Sequence, residues 1–112
     1  MLIFAVVNSG QAVSGNCDLS KHRLIAIAIP GGVTSSDLLV QGSFDPSSAS
    51  FTRIAAHPLV TLQGSGDLRI PTGPGSKMVL WPDGVRLPMY TRLETGVVLT
   101  NPATFTLLVR SL

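Results

Sequence analysis

The residues of this 112-residue chain best suited to chemistry are two histidines, one cysteine and six carboxylates. His22 and His57 stand in turn-like contexts, Ser20-Lys21-His22 and His57-Pro58. A zinc site takes three or four ligands at close or paired spacing. Two separate histidines, Cys17 and scattered acids do not form that pattern, so no metal is expected. Cys17-Asp18 with His22 has the composition of a nucleophile, an acid and a base. Nucleophilic catalysis requires such groups within hydrogen-bond reach of one another. Neighbouring residues of a strand point to opposite faces, so Cys17 and Asp18 are not expected to cooperate. No G-x-S-x-G elbow is present either. Cys17 reads as a small buried apolar residue, and a single cysteine makes no internal disulfide.

Gly73-Pro74-Gly75-Ser76-Lys77 has the look of a phosphate loop but not its spacing, because Ser76 separates the glycine from Lys77. Asp18, Asp37, Asp45, Asp67 and Asp83 occupy turn or strand-end positions, where short acids bond backbone amides; Glu94 is the exception. No catalytic residue or cofactor is expected, and the chain does not read as an enzyme. Trp81 and Tyr90 are the only large amphipathic rings on which a sugar could stack. Trp81, beside Pro82, equally suits a core plug at a strand end. Arg86, Tyr90 and Arg92 alternate along one strand face, and Tyr and Arg are enriched at interface hot spots. The net charge of +2 comes from eight Lys and Arg scattered singly, with no basic stripe to follow a phosphate backbone. Nucleic acid is not an expected partner.

The elements that would position these residues are short. Eleven glycines and eight prolines interrupt every window in which a long helix would fit. Apolar runs between turn signals indicate a β-sandwich or barrel of about eight strands, a single all-β domain over residues 1–112. Three segments alternate clearly. From Leu38, the residues Leu38, Val40 and Phe44 face one way and Gln41, Ser43 and Asp45 the other. In Val85–Leu93, one face carries Val85, Leu87, Met89 and Leu93, the other Arg86, Pro88, Tyr90 and Arg92. Phe105, Leu107 and Val109 face the core, with Thr104, Thr106 and Arg110 outward. Arg23–Ile29 is apolar on both faces, as in a central strand whose small residues lie under a cover or a neighbouring subunit. Fainter strands are Leu2–Val7, Ala12–Leu19 with a kink at Gly15, Leu59–Leu62 and Lys77–Trp81; Val97–Leu99 extends the last hairpin. Asp45-Pro46-Ser47-Ser48 and Pro82-Asp83-Gly84 read as turns, and Gly64–Ser76 as a long loop.

Charged residues make up only 12% of the chain, against roughly 25% in ordinary soluble domains, and mean hydropathy is +0.41. So sparse a charge is expected to go with surface hidden against a partner. Leu2–Val7 has no Lys or Arg ahead of its six apolar residues, and no run approaches the roughly 18 of a membrane span. A soluble, unexported chain without membrane contact is the expectation.

One stretch is familiar. Asp18-Leu19-Ser20-Lys21-His22-Arg23-Leu24-Ile25-Ala26-Ile27-Ala28-Ile29-Pro30 runs through Thr34 and Asp37-Leu38 to Gln41-Gly42-Ser43-Phe44-Asp45. It resembles a family of small structural proteins of tailed bacteriophages, and Ala103 to Arg110 resembles that family's ending. Val33 stands where the family carries Trp, Asp45-Pro46 replaces its Asp-Gly turn, and Ile54 to Tyr90 does not align. The resemblance implies a jelly-roll-like antiparallel β-sandwich in a virion, foremost a capsid decoration (cement) protein. Its expected partners are the major capsid protein and its own copies, as a trimer or dimer, on the capsid surface after assembly in the host cytoplasm. Leu2, Phe4 and Val6, together with Arg86, Tyr90 and Arg92, are the candidate contacts. A tail, collar or baseplate component is the alternative, as is a carbohydrate-binding module using Trp81 and Tyr90.

Overall fold

The computed structural model describes residues 1–31, 33, 37–47, 50–54, 68–70, 72, 75–81 and 87–112. Among them are nine strands and no α-helix: β1 Leu2–Val7, β2 Cys17–Asp18, β3 His22–Ile29, β4 Leu38–Ser43, β5 Thr52–Arg53, β6 Arg69–Ile70, β7 Lys77–Leu80, β8 Tyr90–Glu94 and β9 Ala103–Ser111. All their ladders are antiparallel, and the chain is folded on itself as one long ribbon. β1 pairs with β9, β2 with β8, β3 with β7, and β4 with β5 and β6 placed end to end. The ribbon then coils so that β9 also lies beside β3, and β8 beside β4. Two sheets result: sheet A, in the order β1-β9-β3-β7, and sheet B, in the order β2-β8-β4-β5 with β6 also on β4. This is a jelly-roll β-sandwich. The expected strand Leu59–Leu62, the first two residues of the expected strand Val85–Leu93, the turn Pro82-Asp83-Gly84, His57 and most of the Gly64–Ser76 loop lie outside the described residues.

The alternation of β9 explains why the sheets stack. Ala103, Phe105, Leu107 and Val109 are buried, and Thr104, Leu108 and Arg110 are exposed. Ala5 and Val7 of β1 and Ile27 and Ile29 of β3 join the same inner face. Across from them lie Cys17, Leu38, Val40, Ile70 and Leu93 of sheet B. Trp81 fills the core just past β7, its backbone N–H donating to Ile25 O at 2.9 Å.

Several expectations give way to local causes. In β3 the register slips between Leu24 and Ala26, a bulge that sends Leu24 into the core and leaves Ile25 half-buried. The apolar alternation therefore runs Leu24, Ile27, Ile29 and not Ile25, Ile27, Ile29. β3 is nonetheless interior to its sheet, as its two apolar faces predict. Phe44 is 85% exposed where alternation puts it inside. β4 ends at Ser43, whose Oγ accepts the Asp45 N–H, while Asp45 Oδ1 accepts the Ser47 N–H at 2.8 Å and turns the chain. Met89, also expected inside, is exposed because β8 starts only at Tyr90. Ala12–Leu19 contracts to the two residues of β2 and a bridge from Val13 to Glu94. Val97–Leu99 forms no strand; Leu99 instead bonds Gln11 and Gly10.

Gly42 sits in the middle of β4 because space there is already taken. A Cβ at that position would come within 2.5 Å of Pro88 Cγ and 3.2 Å of Ile54 Cδ1. Gly42→Ala is therefore expected to destabilise the fold by about 1–3 kcal/mol. Chemical denaturation reads this directly, and an unchanged midpoint contradicts the packing.

Candidate functional site

The register places one residue set on the outside of sheet A. Leu2 lies opposite Leu108, which lies opposite Ala26, which lies opposite Leu80; the next row is Phe4, Thr106, Ala28 and Met78. These two rows cross all four strands, about 14 Å from first to last at the usual strand spacing, without a charged residue. Leu2, Phe4, Met78 and Leu80 are each more than half exposed, and Val6 adjoins them. Ala26 is itself hidden between the larger neighbours Leu108 and Leu80. The small residues of β3 thus make the centre of this face flat.

The outside of sheet B is its opposite in character. Gln41 on β4 lies beside Arg92 on β8 and Arg53 on β5. Arg53 grips the Glu94 carboxylate with Nη2 at 2.6 Å and Nε at 3.2 Å. The Gln41 side-chain amide donates to Glu94 Oε1, and its carbonyl accepts from Arg92 Nε. The Arg92 guanidinium carbon lies 4.5 Å from the Phe51 ring centroid, a cation–π contact. The Arg53 guanidinium holds the Glu94 carboxyl below its ordinary value, against the opposite pull of burial, and Gln41 adds to the lowering. The network fastens three strands of this sheet across its outer surface.

The sequence-derived candidates therefore divide between two opposite faces. Leu2, Phe4 and Val6 lie on the outside of sheet A. Tyr90 and Arg92 lie half-buried on sheet B, and Arg86 is outside the described residues. Arg92 is engaged within the sheet by Gln41 and by the Phe51 ring. Trp81 is buried in the core, so it does not join Tyr90 in a sugar-stacking platform. Met78, Leu80 and Leu108 complete the apolar face but were not singled out by sequence. In Lys77–Trp81 the one charge, Lys77, belongs to the set of Val79 and Trp81, so the sequence gives no sign that Met78 and Leu80 face out.

Cys17 is buried, and burial pushes its thiol up to about 11, so it is uncharged at neutral pH. Asp18 is exposed on the other face of β2; there the Ser20 hydroxyl and backbone N–H both donate to Oδ1 and lower its pKa. His22 borders a recess of about 130 Å³ with Leu19, Met89 and Leu112, and its buried Nδ1 has no hydrogen-bond partner. Among the described residues no three metal-ligating side chains come together. No family model, curated protein or solved structure matches the chain.

The Glu94 network yields a pH test. A carboxyl with a lowered folded-state pKa stabilises the fold above its ordinary value, and that contribution is lost as pH falls through the folded-state value. Glu94→Gln is expected to cost about 1–2 kcal/mol at pH 7. Below about pH 4.5, the ordinary value for glutamate, the variant should lose stability less steeply than the wild type. Parallel acid limbs in denaturation would remove Glu94 from this role.

Proposed function

We propose that this chain is a non-enzymatic structural protein that works by assembly, and specifically a capsid decoration protein binding the assembled head of a tailed phage. The observation that carries the assembly reading is the pair of uncharged, largely apolar rows that cross the outer face of sheet A. Free monomers seldom expose a broad apolar patch, and covering it with a partner removes that surface from water. The low overall charge points the same way. The virion setting draws its support from the resemblance of Asp18–Asp45 and Ala103–Arg110 to phage structural proteins.

A cement protein needs a rigid body and one sticky side. Binding only to the assembled shell, it stabilises that shell by mass action, more so as more sites fill. The sheet B network supplies the rigidity, and the rows containing Leu80 and Met78 supply the contact with the major capsid protein. A carbohydrate-binding role is less well supported, since Trp81 lies in the core and leaves Tyr90 as the remaining ring.

The test mixes purified protein with unfilled shells of the cognate major capsid protein and measures co-sedimentation. The wild type should bind. Met78→Glu combined with Leu80→Glu should keep the β-rich spectrum and bind at least about tenfold more weakly, a loss of about 1.4 kcal/mol. Bare shells with the wild type reject the cement role and leave the tail, collar or baseplate. Undiminished binding by the double variant rejects this face.

A further inference from the structure

We propose that β1 is a dimerisation strand: two copies pair their Leu2–Val7 edges antiparallel about a two-fold axis, joining two sheets A into one of eight strands. The argument begins with where the backbone groups of β1 point. Met1 N donates to Val109 O at 3.2 Å and Val109 N to Met1 O at 3.0 Å, so this is a hydrogen-bonded pair. Such pairs alternate with non-bonded ones along an antiparallel ladder. Ile3, Ala5 and Val7 therefore exchange bonds with β9, while Leu2, Phe4 and Val6 turn their N–H and C=O groups to the open side. The Gly15 N–H donates to Val6 O at 3.3 Å, which confirms the phase and caps that end of the edge. Leu2 and Phe4 have no backbone partner on the open side among the described residues.

Proteins guard such edges with charge, proline or a bulge. Leu2–Val7 has none of these, whereas the other edge of the sheet, β7, is shorter and begins with Lys77. The occupant is a second copy because the edge fits itself. Leu2 and Phe4 each present one donor and one acceptor, so Leu2 of one copy opposite Phe4 of the other satisfies both residues on both chains. Four backbone hydrogen bonds form, with Ile3 at the axis. The alternative register, Phe4 on Phe4, sets Leu2 against Val6, where Gly15 already sits. In the favoured register the exposed Leu2 and Phe4 side chains become cross-strand neighbours on the apolar face. No charge on β1 opposes the approach, and one strand on its own twin makes a closed, isologous contact.

The pairing stands apart from the virion reading and is tested without capsids. The wild type should have a mass twice its 11.7 kDa by sedimentation or native mass spectrometry. Its Leu2 and Phe4 amides should be protected from hydrogen exchange. Phe4→Pro removes a donor that makes no bond among the described residues, so β1 and β9 stay paired while the edge is blocked. It should be monomeric with a cooperative unfolding transition, and Phe4→Lys, which sets a charge beside the edge, should behave alike. Phe4→Leu should remain a dimer, and so should the Met78→Glu, Leu80→Glu protein that loses shell binding. A monomeric wild type whose Leu2 and Phe4 amides exchange freely overturns the proposal, whether the edge is then idle or taken by another protein's strand. So do Phe4→Pro and Phe4→Lys proteins that both stay dimeric.

Discussion

The pairing of β9 with both β1 and β3 is the constraint on which this molecule depends. It holds the last strand between the first and the third, and so sets the two ends of the chain side by side in one sheet, β9 inside it and β1 at its edge. Every residue of the inner β9 stripe, from Ala103 to Val109, is in the core as a consequence. Closing so long a ribbon sets its contacts far apart in sequence, and loop-closure entropy must be met before those contacts form. That order of events suits a strand whose apolar stripe is unbroken, because each added pair buries more surface.

Much of this was legible in the residues. A strand with one wet and one dry face announces itself, which is why β9 emerged with its inward and outward sets correct; β1, apolar on both faces, was legible in its bounds as an unbroken apolar run. β3 was legible as interior but not in its phase, since a bulge in a segment apolar on both faces changes no residue type. Phe44 obeyed the alternation that precedes it and was misplaced, because the side-chain bonds of Ser43 and Asp45 ended the strand one residue earlier. The charged network was invisible for a different reason. Gln41, Arg53, Arg92 and Glu94 meet through the pairings of β4 with β5 and β8, and nothing local to any one of them announces the others. The outward set of β7 was equally hidden, as Met78 and Leu80 differ little in kind from Val79 and Trp81.

The two outer surfaces divide the labour. On sheet B, Arg53 answers Glu94 and Gln41 links Glu94 to Arg92, so the charges where β4, β5 and β8 meet are answered from within the sheet. Sheet A carries almost no polarity at its centre and has an unguarded edge at β1. A sandwich with one self-satisfied side and one unsatisfied side has a built-in orientation. In the assembly proposed above, the apolar side would be the one covered.

The setting of Cys17 bears on what crowding would do to such a layer. Copies packed at high local concentration would bring many sulfurs near one another. Disulfide exchange, however, proceeds through the thiolate, and a buried thiol raised to about 11 is almost never in that form at neutral pH. Copies that stay folded would therefore remain free of covalent cross-links in an oxidising medium and would come apart by dilution alone, with no reductant needed.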